Sequence, residues 1–376
     1  MRIGIDATGL YGQRTGIEHY VLNIAIGLLA VDIRNEYVVY CRKTVPKGLE
    51  AASTRAQTRR LRVGNRKLYQ QTVLPLLIGL DRLDAMFYPG NSMALWSPCK
   101  TVFTVHDIFP LVIPQYLPNY HVSKCLSRVS SNYWKQIVQL GCKNADRIIA
   151  VSRATELDLV TALSVPAKKI TVVHEGVAPH FRRIDADVID QFRDRHDLKD
   201  PFILCVGTAT YKNLSGSILA FEILKAAGNA ALQLVIVGSE QRIRADTLEL
   251  AKKSVFRDQI RFTGYLPDAD LVLLFNSADL LLFPSFYEGF GLPLLEAFAC
   301  GLPVVTSNVS ALREVAGDAA LLVNPHDPDA IAHAASALLS DADLRSRLVG
   351  KGLQRSREFT WERAARQTLQ VLESVR

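Results

Sequence analysis

The chain lacks the features that mark several classes of protein. No uninterrupted apolar run approaches the roughly 18 residues that a membrane span needs. Asp6 lies where a secretory signal peptide would have apolar residues. The six cysteines are scattered without a C-x-x-C pair, and no internal repeat or low-complexity segment is present. These absences predict a reduced, cytoplasmic protein in which Cys205 and Cys300 simply fill the core.

The composition indicates a globular protein with a large core. Hydrophobic residues make up 49% of the chain and charged residues 22%, a balance that excludes a disordered chain, a collagen-like chain and a coiled coil. The length of 376 residues suits two domains of ordinary size.

Positive charge is concentrated in the first half of the chain. Residues 1–180 contain 22 Lys and Arg against 12 Asp and Glu, a net charge of +10, whereas residues 181–376 contain 22 against 25, a net charge of −3. A basic surface favours an anionic partner, which could be a phosphorylated substrate, phospholipid headgroups or nucleic acid.

Short apolar runs alternate with helical stretches along the whole chain, the pattern of repeated β-α-β units. Because most runs are continuously apolar and rich in β-branched residues, they predict strands that are buried on both faces of parallel sheets. The predicted strands of the first half are Ile3–Asp6, Tyr37–Cys41, Ala85–Tyr88, Thr101–His106, Ile148–Ser152 and Ile170–His174. Those of the second half are Phe202–Val206, Leu232–Val237, Ile260–Thr263, Leu280–Pro284, Val304–Thr306 and Ala320–Val323.

Two sets of strands predict an α/β protein of two Rossmann-like, doubly wound parallel-sheet domains facing across a cleft. The proline- and charge-containing stretch Ala178–Pro201 separates the sets, so we expect an N-terminal domain at 1–180 and a C-terminal domain at 181–360. Residues 361–376 predict an amphipathic terminal helix. Ligands of such sheets bind beyond the carboxyl ends of the strands, where the functional residues are therefore expected.

The most specific pattern is the stretch P-S-F-Y-E-G-F-G-L-P-L-L-E, which begins at Pro284. Its glycines and Pro293 predict a loop that leads into a helix, whose first backbone N–H groups form an anion site. Those N–H groups belong to Phe290, Gly291 and Leu292. Glu288 and Glu296 bracket this loop, and carboxylates beside a phosphate site suit sugar hydroxyls. The alternative is that Glu296 only complements the helix dipole and the glycines only make a turn.

A second candidate loop is Gly207–Asn213, which follows the predicted strand Phe202–Val206. Small residues, then Lys212, then Asn213 as a helix N-cap predict another anion site. Lys212 would supply a full positive charge there. The alternative for Lys212 is a solvated surface lysine.

The first half contributes two further candidates. Gly16 begins the first long predicted helix, where the absence of a side chain would let the backbone approach a phosphate. That Gly16 only makes a turn is an equal alternative. The spacing of the glycines is not the dinucleotide fingerprint, so NAD is not predicted. His106 ends the predicted strand Thr101–His106 and would face the cleft, with Asp107 either orienting its imidazole or capping the next turn.

Three Asp-Ala-Asp triplets, at 185–187, 268–270 and 341–343, match the D-x-D pattern of metal-dependent sugar-nucleotide enzymes. All three precede predicted helices instead of following strands, which is the placement of helix N-caps. We therefore expect no metal and no other cofactor.

Ordered motifs extend along almost the whole chain. They are Glu288-x7-Glu296, T-G-I-E-H-Y at 15–20, V-H-D at 105–107, D-R-I-I-A-V-S at 146–152, V-G-T with K-N within 206–213, A-C-G-L-P-V-V at 299–305 and F-T-W-E at 359–362. Together they resemble the retaining GT-B glycosyltransferases of glycosyltransferase family 4 (group 1), in its mannosyltransferase-like branch.

The resemblance implies a GT-B fold whose final helix crosses back to the N-terminal domain, and a retaining hexosyl transfer from a nucleotide-sugar. Gly16 would meet the donor diphosphate, His106 the transferred sugar, and Lys212 the leaving diphosphate in place of a metal. Glu288 would hold sugar hydroxyls while the neighbouring loop amides bind phosphate. Glu296 would accept the ribose hydroxyls.

The sequence departs from the family pattern at one point. The family usually has an arginine shortly before the lysine, whereas this chain has Tyr211 directly before Lys212 and Thr208 a few residues upstream. Neutralisation of the diphosphate then rests on Lys212 alone or on another arginine such as Arg14. If Glu288 binds hydroxyls, these motifs leave no carboxylate nucleophile for double displacement. The resemblance implies front-face attack, in which the departing phosphate oxygen helps to take the acceptor's proton.

The basic half is expected to bind the acceptor, a glycan or a polyprenyl-diphosphate-linked oligosaccharide of polysaccharide or O-antigen biosynthesis. The stretches 55–67 and 120–140, the second with Lys124, Arg128, Trp134 and Lys135, suit the anionic inner face of the plasma membrane. A solvated loop and a packed helix are the alternative. Nucleic acid is not expected, because no binding module for it is recognised.

Three functions remain open at this point: the transferase, a non-catalytic sugar-nucleotide-binding subunit of a polysaccharide assembly complex, and a GT-B epimerase or phosphorylase. The intact set His106, Lys212, Glu288 and Glu296 favours the transferase. GDP-mannose is the expected donor, because T-G-I-E-H-Y and V-H-D resemble the mannosyltransferase branch, and a UDP-hexose is the alternative.

Overall fold

The computed structural model describes residues 1–10, 16–42, 45–52, 56–61, 64–116 and 124–376. The described residues form two compact units. The N-terminal unit consists of those in Met1–Val112, Val122–Gly176 and Phe359–Arg376, and the C-terminal unit of those in Ile113–His121 and Val177–Glu358.

The N-terminal unit is built on a seven-stranded parallel sheet. Its strands are β1 (Arg2–Ala7), β2 (Glu36–Arg42), β3 (Ala56–Leu61), β4 (Ala85–Tyr88), β5 (Lys100–Val105), β6 (Arg147–Ala150) and β7 (Ile170–Val172). They lie in the order β3-β2-β1-β4-β5-β6-β7. All four residues of β4 are buried, as expected for a central strand that is covered by helices on both faces.

The C-terminal unit is built on a six-stranded parallel sheet. Its strands are β8 (Phe202–Val206), β9 (Gln233–Val237), β10 (Ile260–Gly264), β11 (Leu280–Phe283), β12 (Val304–Ser307) and β13 (Leu321–Val323). They lie in the order β10-β9-β8-β11-β12-β13. Both sheets are doubly wound. In each sheet the chain runs from a central strand to one edge, returns to the centre, and then continues to the other edge.

Helices connect these strands. Those of the first part of the chain are α1 (Gly16–Val31), α2 (Lys47–Ala52), α3 (Arg66–Leu80), α4 (Phe109–Val112), α5 (Lys124–Asn144) and α6 (Arg153–Leu163). Those that follow are α7 (Ala186–Arg195), α8 (Leu214–Ala226), α9 (Ala245–Lys253), α10 (Asp268–Ser277), α11 (Leu292–Cys300), α12 (Ser310–Ala316), α13 (Pro328–Ser340), α14 (Ala342–Ser356) and α15 (Trp361–Glu373). None of the described helices has the length and apolar character to cross a membrane.

The twelve predicted strands are confirmed, with ends that shift by at most two residues. The strand that the sequence did not predict is β3, which pairs with β2 alone. Its polar residues suit an edge strand, because edge strands tolerate charged side chains that a central strand could not bury. Arg59 of β3 forms an ion pair with the buried Asp81, so this arginine is part of the sheet edge and not of a solvated loop.

The final helix α15 packs against α1 within the N-terminal unit, which confirms the expected return of the chain. The predicted face is buried, and consists of Ala364, Ala365, Thr368, Val371 and Leu372. The two helices approach closely because α1 has a glycine at the contact: a Cβ added to Gly27 would lie 2.9 Å from the Cβ of Ala365.

The helix-cap prediction is correct for two of the three Asp-Ala-Asp triplets. Asp185 and Asp341 are the N-cap residues of α7 and α14. The Asp341 side chain accepts a hydrogen bond from the Leu344 N–H at 2.8 Å, whereas the Asp185 side chain makes no cap hydrogen bond. The prediction for 268–270 is wrong, because α10 already begins at Asp268 and Pro267 is its N-cap. Asp268 and Asp270 lie in the first turn, where the helix dipole favours carboxylates.

The described cysteines are free thiols, and those predicted to fill the core are buried. Burial raises the pKa of Cys205 and that of Cys300 to about 12. Both thiols are therefore protonated at neutral pH and chemically inert.

Candidate active site

Two loops of the C-terminal unit lie side by side because β8 and β11 are neighbours in the sheet. These strands meet where the strand order reverses, the position at which crossover connections leave a crevice beyond the carboxyl ends of a parallel sheet. The loop after β8 carries Lys212, and the loop after β11 carries Glu288. The topology thus places both sequence candidates at the expected ligand position of this sheet.

Asn213 holds the two loops together. Its side-chain oxygen accepts a hydrogen bond from the Gly216 N–H at 3.1 Å, which confirms the predicted N-cap of α8. Its Nδ2 donates to the carbonyl oxygens of Pro284, at 3.0 Å, and Pro325, at 2.6 Å. A further bond runs from the Phe286 N–H to the Tyr211 carbonyl at 2.8 Å. The loops are therefore fixed relative to each other before any ligand binds.

Lys212 and Glu288 form an ion pair with 2.7 Å between Nζ and Oε1. The two side chains are only 13% and 10% exposed. The Lys212 ammonium also lies 4.4 Å from the centre of the Phe283 ring, within the range of a cation–π contact. Lys212 is therefore a fixed cation at the crevice, and the alternative of a solvated surface lysine is wrong.

Gly207 provides the space that Lys212 occupies. Its φ of +93° lies in the region that favours glycine, and an added Cβ would lie 3.0 Å from the Lys212 Cε. Any larger residue would strain the backbone and displace the lysine. The small residue at this position of the loop is thus required by the position of the ammonium.

The loop after β11 leads into α11 as predicted. Gly291 is the N-cap with a φ of +113°, and Pro293 lies in the first turn. Phe290 and Gly291 are buried, while Leu292 is the first helical residue. The N–H groups at such a terminus have no acceptor within the helix, so they can bind an anion.

Glu296 is half-buried and lies one turn into α11. The first turn of α11 contains no acidic residue, and the helix dipole acts on charges mainly within that turn. The alternative interpretation of Glu296, a carboxylate placed there only to complement the dipole, therefore has little support.

Sequence reasoning missed Ser310, which holds the backbone of Glu288 in place. The Glu288 N–H donates to Ser310 Oγ at 2.9 Å, and the Glu288 carbonyl accepts from the Ala311 N–H at 3.4 Å. Ser310 has a φ of +47°, an uncommon conformation for a residue other than glycine. No local motif marks this serine, because its role depends on the adjacency of β11 and β12.

His106 is buried in the N-terminal unit with both ring nitrogens engaged. Its Nδ1 lies 3.0 Å from Glu175 Oε1 and its Nε2 lies 2.8 Å from the Pro89 carbonyl oxygen. Because a carboxylate and a carbonyl are both acceptors, the two contacts together require two N–H groups, that is, an imidazolium. Burial opposes that charge, but the hydrogen bond and charge of Glu175 and the Pro89 carbonyl raise the pKa of His106.

His106 therefore joins three loops of the N-terminal sheet. In addition to the ring contacts, the backbone N–H of His106 donates to Asn91 Oδ1 at 2.7 Å. The ring is oriented by Glu175, which the sequence analysis did not single out, although it follows β7 at the carboxyl edge. Asp107 Oδ1 accepts from the Phe109 N–H at 3.3 Å, the turn-capping role.

Gly16 is exposed and begins α1. It belongs with His106 to the N-terminal unit, whereas Lys212, Glu288 and the 290–292 loop belong to the C-terminal unit. Arg14 and Thr15, which the sequence analysis also named, lie outside the described residues. The roles expected for Gly16 and His106 toward a donor stay predictions.

The sequence matches two family models that together span most of the chain. Residues 14–181 match Glycosyltransferase Family 4, and residues 188–355 match Glycosyl transferases group 1. The chain is 30% identical to the O-antigen chain mannosyltransferase B of Escherichia coli, over 77% of this chain and 74% of that protein. It is 31% identical to the serotype-specific mannosyltransferase WbdA of Escherichia coli over 71% of this chain, but it spans only 32% of that protein's length.

The fold is also that of solved structures. HepE of Anabaena, solved in complex with UDP-glucose, superimposes with a TM-score of 0.75 over 100% of both chains, at 18% sequence identity. This likeness concerns the fold, which is GT-B. The two family models and the relatives above show that the chain belongs to glycosyltransferase family 4, among the group 1 glycosyltransferases, and that it resembles the mannosyltransferase-like branch of this family.

Proposed function

We propose that the protein transfers a mannosyl group from GDP-mannose, with retention of anomeric configuration and without a metal ion, to a glycan or lipid-linked oligosaccharide in polysaccharide biosynthesis. The observation that carries the proposal is the Lys212–Glu288 ion pair at the carboxyl ends of β8 and β11. The mannosyltransferases among the relatives support mannose as the transferred sugar.

Lys212 acts on the leaving group in this proposal. Departure of a nucleoside diphosphate concentrates negative charge on the departing oxygen, and a preorganised cation there lowers the barrier. In the structure Glu288 neutralises the Lys212 ammonium at 2.7 Å. Diphosphate oxygens then replace Glu288 as the partner of Lys212, while the N–H groups at the start of α11 add further donors.

Glu288 acts on the sugar. Once the diphosphate engages Lys212, the carboxylate of Glu288 accepts hydrogen bonds from sugar hydroxyls. A carboxylate in that role does not attack the anomeric carbon, as double displacement would require. Retention then follows from front-face attack, with the acceptor's proton passing to the departing phosphate oxygen.

We further propose that the acceptor binds the N-terminal unit and that this unit contacts an anionic membrane. The support is the outward face of α3, where Leu68, Leu76 and Leu80 are 63%, 64% and 77% exposed. This helix contains no Asp or Glu and has two basic residues in its first turn. Apolar and basic groups on one surface suit an anionic lipid interface.

The residues that the sequence predicted to contact a membrane are not those that the structure shows at the surface. Trp134 of α5 is half-buried and packs against the hydrophobic core, whereas Trp96 is 63% exposed. Arg55 and Arg62 lie outside the described residues, as do residues 120–123, and the side chains of Lys124 and Arg128 are not described. The proposal therefore rests on α3.

Thermal stabilisation by GDP and by UDP at equal concentration, without added metal, tests the donor. A ligand that binds only the folded protein raises Tm by mass action, so we expect a shift with GDP that Lys212→Met abolishes. The control Lys252→Met changes an exposed lysine of α9 and should keep the shift. A shift with UDP alone would overturn the mannosyl donor, and no shift with either would contradict a GDP- or UDP-linked donor altogether.

Transfer itself tests the rest of the proposal. The product formed from GDP-mannose should have an α-linkage by NMR, the configuration of the donor, and its rate should be unchanged by EDTA. An inverted linkage would contradict front-face retention. A rate that falls with EDTA and recovers with a divalent ion would contradict metal independence.

A further inference from the structure

A cavity of about 290 Å³ lies in the N-terminal unit at the ends of β1 and β4. These two strands meet where the order of the N-terminal sheet reverses, so the cavity occupies the same topological position in its sheet as the Lys212–Glu288 crevice does in the other. The lining includes Arg66 and Lys67 of α3, Asn91 and Ser92 after β4, and Trp134 of α5.

Arg66 has unused hydrogen-bonding capacity in this cavity. Its Nη2 donates to Ser92 Oγ at 3.2 Å. Its Nε is buried and has no hydrogen-bond partner in the part of the chain that the structure describes. A buried donor without a partner is destabilising, and native proteins retain few such groups without a reason. The unused Nε therefore indicates a missing acceptor.

The guanidinium of Arg66 lies beside two glycines, of which only Gly9 would make a tight contact if it carried a Cβ. A Cβ on Gly9 would lie 3.3 Å from Arg66 Nη2, and a Cβ on Gly90 would lie 3.8 Å from the same atom. Gly9 follows β1 and Gly90 follows β4, so the guanidinium lies against backbone from both central strands. The Arg66 side chain therefore lies beside the loops that follow β1 and β4 and lines the cavity.

The charges at the start of α3 also indicate an anion. Arg66 and Lys67 occupy the first turn of this 15-residue helix, and that turn contains no acidic residue. Cations at a helix N-terminus are unfavourable, because the helix dipole places partial positive charge at that end. A bound anion would reverse this unfavourable arrangement.

The acidic residues that line the cavity are Asp6 and Glu18. Asp6 accepts hydrogen bonds from the Thr8 N–H at 3.0 Å, the Thr8 hydroxyl at 2.5 Å and Gln70 Nε2 at 2.8 Å. Its oxygens are therefore occupied by neutral donors. Glu18 lies in the first turn of α1, where the dipole of that helix favours it.

We propose that this cavity binds a phosphate ester of the acceptor substrate, with Arg66 as its main ligand and Lys67 as a second cation. The proposal rests on the proposed function, because it names the chemistry of the acceptor. A guanidinium suits this role, since its planar array of N–H groups matches the oxygens of a phosphate. The phosphate belongs either to a soluble sugar phosphate or to a lipid-linked acceptor held at the neighbouring face of α3.

Isothermal titration with inorganic pyrophosphate, in the presence of saturating GDP to occupy the donor site, tests the proposal. We expect binding that Arg66→Gln weakens at least about tenfold and that Lys67→Gln weakens several-fold. The control Arg34→Gln changes an arginine of the same unit whose side chain is 73% exposed, and it should bind as the wild type does. Equal binding by wild type and Arg66→Gln would overturn the proposal.

Two further measurements distinguish a loss of phosphate binding from a failure of the donor assignment and from a loss of stability. Arg66→Gln should keep the Tm shift with GDP, so a failure of the donor assignment is distinguishable from a failure of this one. The variant should also keep or raise the Tm of the ligand-free protein, because it removes a cation from a helix N-terminus. A large fall in Tm would assign Arg66 a structural role instead.

Vesicles identify the source of the phosphate. Wild type and Arg66→Gln would be compared on neutral phosphatidylcholine vesicles with and without polyprenyl phosphate. Binding that requires both polyprenyl phosphate and Arg66 supports a lipid-linked acceptor, and binding of pyrophosphate without such vesicle binding supports a soluble one. Vesicle binding that needs polyprenyl phosphate but not Arg66, together with Arg66-independent pyrophosphate binding, overturns the cavity assignment.

Discussion

The Lys212–Glu288 pair has different consequences for stability and for catalysis. In the structure each residue neutralises the other at a site where both side chains are largely removed from water. Loss of one partner leaves an uncompensated charge, which is costly in a largely buried position. The same loss removes either the cation for the leaving group or the acceptor for sugar hydroxyls.

We predict that Lys212→Met lowers kcat by about 10²–10³-fold, the range found when one donor to a developing oxyanion is lost. Glu288→Gln should also lower kcat, because it weakens the acceptor for the sugar hydroxyls. In urea unfolding the double variant should be more stable than the sum of the single variants predicts, with a coupling free energy of about 1–3 kcal/mol. A single variant with near-wild-type kcat, or a coupling free energy near zero, would contradict the assigned pairing.

The His106–Glu175 pair predicts a pH dependence of stability. Because the folded-state pKa of His106 is raised above its unfolded value, its contribution is fully present below pH about 6.5. The contribution is lost as the pH rises through the folded pKa. The neighbouring Asp107 carboxylate acts in the same direction as Glu175.

Urea unfolding at several values between pH 6 and pH 9 measures this effect. The wild-type free energy of unfolding should fall with rising pH more steeply than that of Glu175→Gln, which removes the charge that raises the pKa. His333→Gln, a change at an exposed histidine of α13, should keep the wild-type slope. Identical slopes for wild type and Glu175→Gln would show that His106 is not a buried imidazolium.

The helix α3 differs from an ordinary surface helix. Its inner face buries Tyr69, Leu74 and Ile78, as the fold requires. Its outer face is also apolar, with Leu76 and Leu80 more exposed than not. An ordinary surface helix has polar residues on its outer face, so α3 has the composition of a helix that is covered when the protein functions.

We predict that Leu76→Gln with Leu80→Gln weakens binding to vesicles containing anionic phospholipid at least about tenfold in a sedimentation assay. The double variant removes apolar area that lipid would cover, while the buried face is untouched. Leu157→Gln is the matched control, since Leu157 is a 62% exposed leucine of α6. Equal binding by both variants would contradict a membrane role for α3.

The N-terminal unit is completed by the last helix of the chain. Trp361 at the start of α15 is 8% exposed and contacts the Tyr20 ring edge-on, with 5.7 Å between ring centres. A glycine is required at position 176, because a Cβ added to Gly176 would lie 2.3 Å from the backbone nitrogen of Trp361. The core of this unit therefore depends on residues from both ends of the sequence.

We predict that Trp361→Ala lowers the free energy of unfolding of the N-terminal unit by about 3–5 kcal/mol, the usual cost of deleting a buried aromatic side chain. Glu362→Ala removes an exposed neighbour in the same turn and should change it little. Calorimetry with and without GDP distinguishes the units, because GDP should still raise the transition of the C-terminal unit in the Trp361 variant. A wild-type Tm for Trp361→Ala would contradict the proposed packing.

Much of this architecture was predictable because its signals are local. Continuous β-branched runs such as Leu280–Phe283 predict buried parallel strands without knowledge of their neighbours. The cap at Asn213 and the turn at Gly291 are likewise specified within a few residues. The edge strand β3 was missed, because an edge position relaxes the apolar pattern on which strand prediction relies.

The sequence by itself determined the two sheets, the loops that end their strands, and the presence of Lys212, Glu288 and Glu296 close to a helix N-terminus. Only the tertiary structure decided which side chains meet: Glu175 against His106, 69 residues away, and Asn213 against Pro284, 71 residues away. The physical reason is that backbone conformation follows from nearby residues, whereas ion pairs and cavities form between segments that the order of strands in the sheet brings together.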